Sequence, residues 1–127
     1  MKFSKNPLNQ ILRFFLEIIL VVSFGLLGNA IAGGLLGFFF MFLFPILIMA
    51  CWWAFVVPGD SSRSGEVIVK TSGIVRLGME LSLFSIASVG LIIVGHEKTA
   101  IILLVLTSIH YFTSVDRIAW LLKQNNS

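Results

Sequence analysis

The sequence predicts an all-α integral membrane protein, a four-helix bundle made of two helical hairpins in parallel repeat. Hydrophobic residues make up 57% of the chain and charged residues only 12%, against about 25% charge in a soluble domain. The apolar residues gather in four runs, each near the ~20 residues that cross a bilayer core as a helix. The charges flank those runs and do not interleave with exposed aromatics. The net charge of +3 is therefore read as setting topology, and no nucleic-acid partner is expected. The 127 residues are expected to form a single domain, 1–127.

The first run, 8–28, opens with Asn6-Pro7, a capping residue followed by a proline in the first turn. Lys2 and Lys5 ahead of an apolar stretch, with Ala30-Ile31-Ala32 beyond it, also fit a signal peptide. Arg13 and Glu17 interrupt the apolar core such a peptide would need, so the segment is read as a retained membrane helix. The second run, 31–57, ends at Pro58-Gly59 and contains Pro45, which predicts a kink. Its phenylalanines Phe38, Phe39, Phe40, Phe42 and Phe44 cover too much of the helix to form one seam, so several should face lipid. The third and fourth runs are 73–95 and 99–122.

The first connection, Gly28-Asn29-Ala30, is short and uncharged. Gly33 and Gly37 form a G-x-x-x-G that could join two copies of the chain as a homodimer. The second connection, 58–72, is polar and carries Asp60, Arg63, Glu66 and Lys70, with Val67-Ile68-Val69 placed to touch the membrane surface. The third is His96-Glu97-Lys98. The lone Cys51 lies inside an apolar run and is read as a packing residue. No metal-ligand spacing occurs, and no metal or cofactor is expected. Lys2, Lys5, Arg13, Arg63, Lys70, Arg76, Arg117 and Lys123 fall toward one side and only Lys98 toward the other. The positive-inside rule then puts both termini and the middle loop in the cytoplasm.

A repeat runs through this scheme. Arg13 and Glu17 match Arg76 and Glu80 at a constant offset of 63. Two spans separate the copies, so both hairpins keep the same orientation. Ionisable residues within a span cost roughly 2.5–3.5 kcal/mol each at the helix centre, so these need partners. Arg before Glu at i,i+4 is the poorer order on one helix, which favours pairing between helices. Reciprocal bridges are expected, Arg13 to Glu80 and Arg76 to Glu17, with Asp116 and Arg117 joining at the same depth.

The fourth run adds a polar stripe, with Thr107, His110, Ser114 and Arg117 on one helical face and Tyr111 and Asp116 beside it. On the second run, Trp53 could close the cluster through its indole N–H or serve as an interfacial anchor. His110 is read as a bundle residue, because no nucleophile motif or phosphate loop accompanies it. No catalytic residue is assigned. The cluster Arg13, Glu17, Trp53, Arg76, Glu80, His110, Asp116 and Arg117 is either a structural lock or a cytoplasm-facing binding site.

The order Asn9-x-x-Leu12-Arg13-Phe14-x-Leu16-Glu17, then Trp53-Ala54-x-x-x-Pro58, then Arg76-Leu77-x-x-Glu80, resembles the YrdB-like family of small bacterial membrane proteins. The resemblance implies four spans and a bacterial inner-membrane location, and makes Arg13, Glu17, Trp53, Pro58, Arg76 and Glu80 part of the family pattern. It brings no substrate. The residues themselves favour a binding or accessory membrane protein whose cluster holds a lipid headgroup, a small anion or a partner segment. The alternative is a dimeric small-solute or proton-coupled transporter using the same cluster. A transporter needs a polar path through the outer half, which offers only Ser23, Ser85, Ser88 and Asn29.

Overall fold

The computed structural model describes residues 6–60 and 68–124. Lys2, Lys5, Arg63, Glu66 and Val67 lie outside the described residues. The chain folds into five helices: α1 (Pro7–Ala32), α2 (Gly34–Ala54), α3 (Gly73–Ile93), α4 (Glu97–Thr113) and α5 (Val115–Lys123). Three of them, α1 to α3, are long and apolar enough to cross a membrane, and a fourth span exists if α4 and α5 count as one.

Helix α1 starts where expected. The Asn6 side chain accepts the Leu8 N–H at 2.9 Å, and Pro7 needs no partner for its nitrogen. The helix continues past Gly28 to Ala32, so the turn falls later than the sequence suggested. Gly33 and Gly34 make the reversal with φ of 67° and 55°, a region that disfavours side chains bearing a Cβ. Gly28 and Gly37 serve a different purpose, the close crossing of α1 and α2. A Cβ on Gly28 would overlap the Phe40 backbone, and one on Gly37 would stand 2.6 Å from the Asn29 carbonyl oxygen. Gly37 is thus occupied by contact inside the hairpin.

The expected even bundle is not what forms. The apolar core is mostly α1 (Leu16, Leu20, Phe24, Leu27), α3 (Phe84, Ala87, Leu91) and α4 (Ala100, Leu103, Tyr111), with Trp52 alone from α2. Helix α2 buries only Gly37 and Trp52 and lies along the outside of α1. Pro45 sits within its continuous helix, and Phe38, Phe39 and Phe42 are exposed as expected, while Phe40 and Phe44 stack at 5.2 Å.

The fourth run, expected as one helix over 99–122, breaks at Ser114, and α5 leaves α4 at 69°. No proline causes this. The turn lays α5 across the end of the bundle, burying its Leu121 and Arg117. Gly73 at the start of α3 allows the approach: a Cβ there would collide with the Leu121 backbone, and the Gly73 N–H donates to the Gln124 carbonyl. A second departure from the all-α expectation is small. Phe55–Val56 and Val69–Lys70 pair in parallel, closing the middle connection on itself. Ile68 and Val69 are exposed.

Candidate functional site

Glu80 is the centre of the polar cluster. It lies about two turns inside α3, fully buried at 0% exposure, and three arginines from three helices reach it. Arg13 Nη2 of α1 donates to Oε2 at 2.9 Å, Arg76 Nε of α3 at 2.7 Å, and Arg117 Nη2 of α5 at 2.9 Å. Oε1 accepts from the Tyr111 hydroxyl at 2.5 Å and from Arg117 Nη1 at 3.1 Å. Charge-assisted bonds of this kind are the strong ones, and a buried carboxylate needs them.

Arg117 reaches this point because α5 crosses the charged end of the bundle. Its other edge grips Asp60, Nε to Oδ1 at 2.9 Å and Nη2 to Oδ2 at 2.6 Å. Arg76 is fixed from the far side of its fork: Nη1 donates to the Trp52 and Phe55 carbonyls at 2.5 and 2.7 Å. These are the carbonyls freed as α2 ends.

The expected bridge from Arg13 to Glu80 forms. The reciprocal bridge from Arg76 to Glu17 does not, because Arg76 turns to Glu80 on its own helix in the i,i+4 order that sequence reasoning disfavoured. Glu17 instead accepts the Trp52 indole N–H at 3.0 Å and lies 3.6 Å from Arg13 Nε. The indole partner is therefore Trp52, at 3% exposure, and not its neighbour Trp53, at 56%. Trp52 also lies under both guanidiniums, with Arg13 Cζ 5.2 Å and Arg76 Cζ 4.6 Å from its ring centre.

The stripe of the fourth run faces inward, across the break. His110 Nε2 stands 3.2 Å from Arg13 Nη1. A guanidinium can only donate, so Nε2 accepts, and Nδ1 carries the hydrogen toward Asn9 Oδ1 at 2.8 Å. Asn9 Nδ2 then donates to Ser114 Oγ at 2.7 Å. Thr107 is half-buried on the same face, and its hydroxyl makes no hydrogen bond. Asp116 is half-buried in the first turn of α5. Sequence reasoning missed Asn9, Trp52 and Asp60 as members.

The inner set of Arg13, Arg76, Arg117 and Glu80 has two more positive than negative charges, which Glu17 and Asp60 offset at its edges. Arg117 uses both edges of its fork. Arg13 Nε lacks a hydrogen-bond acceptor, and Arg76 Nη2 makes no hydrogen bond among the described residues. Spare donors therefore collect around Trp52. Among the described residues no three His, Cys, Asp or Glu side chains stand together as metal ligands.

The model of a family described as protein of unknown function (DUF2568) matches residues 11–108. The chain belongs to this family. It is also 36% identical over 119 residues to the uncharacterized protein YrdB of Bacillus subtilis (strain 168), covering 94% of this chain and 97% of that one. The match to the DUF2568 family contains Arg13, Glu17, Trp52, Arg76 and Glu80 and stops before Arg117. No solved structure matches the chain.

Proposed function

We propose that the chain is an integral protein of the bacterial inner membrane with its charged end toward the cytoplasm. The excess of Lys and Arg at that end supports the orientation. In this reading it is a binding or accessory protein, and the arginine cluster holds an anionic group, a phosphate-bearing lipid headgroup or a small anion. The carrying observation is the convergence of three guanidiniums on the single carboxylate of Glu80. Arg13 and Arg76 keep donors beyond what that carboxylate can take, and guanidinium forks match phosphate oxygens. Helix α5 acts as the cover: moving it withdraws Arg117 and leaves Arg13 and Arg76 facing the anion.

Binding is favoured over transport because the far half offers no polar path. The Ser23 and Ser88 hydroxyls donate to carbonyls of their own helices, at 2.6 Å to Ile19 and 2.8 Å to Phe84. No catalytic step is assigned.

The test is native mass spectrometry of protein released from vesicles of phosphatidylglycerol and phosphatidylethanolamine. Retained phosphatidylglycerol should fall about tenfold in Arg13→Lys and Arg76→Lys, which keep the charge and lose the fork, an effect of ~1.4 kcal/mol. Unchanged retention in both variants would leave the cluster a structural lock.

A further inference from the structure

A second polar feature lies outside the cluster, on the surface where α1 meets α2. There a groove of about 220 Å³ is bounded by Phe14, Glu17 and Trp53. Glu17 is its only charged residue, with its side chain 24% exposed on a wall otherwise apolar. One carboxylate oxygen, Oε1, is used by the Trp52 indole and approached by Arg13. The other, Oε2, makes no hydrogen bond among the described residues. Phe14 and Trp53 stand beside it, each more than half exposed. A carboxylate that shares a groove with two exposed aromatic rings matches a cation: the acid supplies charge, and the ring faces attract an ammonium.

The groove continues along the seam. It shares Val21 and Val22 with a second hollow of about 380 Å³, where Gly25 packs closely against Met41 and Pro45. That hollow shares Phe42 and Ile46 with a wholly apolar surface of about 700 Å³ farther along α2. The result is a furrow, charged at one end and apolar along the rest. Its charged end sits at the right height for a headgroup. The 21 residues of α2 make about 31 Å of helix, the thickness of a bilayer core, so Trp53 in the last turn lies at the membrane border.

We propose that this furrow is a site for an aminophospholipid, with its primary ammonium on Glu17 Oε2 between Phe14 and Trp53 and its acyl chain along the α1–α2 seam. The site shares Glu17 with the edge of the arginine cluster but uses its other carboxylate oxygen and takes a ligand group of opposite charge.

Native mass spectrometry of the full chain, taken from vesicles of equal phosphatidylethanolamine, amine-acetylated phosphatidylethanolamine and phosphatidylglycerol with identical acyl chains, tests it. Phosphatidylethanolamine should be retained over phosphatidylethanolamine acetylated on its amine. Glu17→Gln keeps an acceptor for Trp52 and should cut that preference about fivefold, and Trp53→Ala should cut it by a similar factor. Ile93→Ala, on the exposed far end of α3, should leave it unchanged. Equal retention of the two lipids, or full preference in Glu17→Gln, overturns the proposal. Arg76→Lys, whose guanidinium bonds Glu80 and the Trp52 and Phe55 carbonyls and not Glu17, should alter only phosphatidylglycerol, so the two sites fail separately.

Discussion

Arg13-x-x-x-Glu17 and Arg76-x-x-x-Glu80 are the same motif at the same depth of two like-directed helices, and they have opposite fates. Glu80 is sealed and takes three arginines, while Glu17 sits at a partly exposed edge with one tryptophan and one looser arginine. The motif itself cannot account for the difference. What differs is the neighbour across the end of the bundle. Helix α5 lies over the start of α3 through Gly73 and sends Arg117 into Glu80, while across from Glu17 stands Trp52 in the last turn of α2. A duplicated motif becomes a structural hub or a surface site according to what covers it.

Replacing each acid should break the contrast most visibly. Glu80→Ala leaves buried arginines unpaired and should cost about 3–5 kcal/mol, enough to lower thermal unfolding in detergent drastically or prevent recovery of folded protein. Glu17→Ala, at the edge, should cost about 1 kcal/mol. Equal losses would mean the two acids are equivalent after all. The cover itself can be probed at one atom. Gly73→Ala drives a methyl into the Leu121 backbone and should cost ~1–3 kcal/mol. Gly78→Ala on the same helix meets open space and should be neutral or stabilising by up to about 1 kcal/mol.

Finer resolution comes from pairs. A double-mutant cycle on Arg13 and Glu80 should return a coupling of about 1–3 kcal/mol, and one on Arg13 and Glu17 below ~0.5 kcal/mol. The two adjacent tryptophans separate in the same way: Trp52→Phe keeps a ring under the guanidiniums and loses the indole N–H. About 1 kcal/mol should go, and Trp53→Phe should change the melting point hardly at all.

The sequence carried the apolar spans, because length and hydropathy are local properties. It also carried the Arg13–Glu80 pairing, because the repeat placed both residues at one depth. It misled where symmetry was assumed. Arg76 does not seek Glu17, since the carbonyls at the end of α2 and the Glu80 carboxylate lie nearer. Trp52 and Trp53 are adjacent, and choosing between them needs the rotation of α2 about its axis, which a helix so uniformly apolar does not reveal. Asp60 belongs to a polar connection, and nothing local marks it as the partner of a residue 57 positions away. The break at Ser114 had a faint signal: a serine followed by Asp116, the order of a capping residue and an acid in a first turn.

Arg117 is also the last member of the hub to be made. Translation delivers Arg13 first, then Asp60, Arg76 and Glu80, and only after α4 does Arg117 follow. Until then Glu80 holds two of its three guanidinium partners, and the Asp60 carboxylate lacks the fork it will grip. The first three helices on their own therefore leave the hub's charge balance incomplete. Docking of α5 at Gly73 is what supplies the third guanidinium, so the hub around Glu80 is complete only when the last helix is in place.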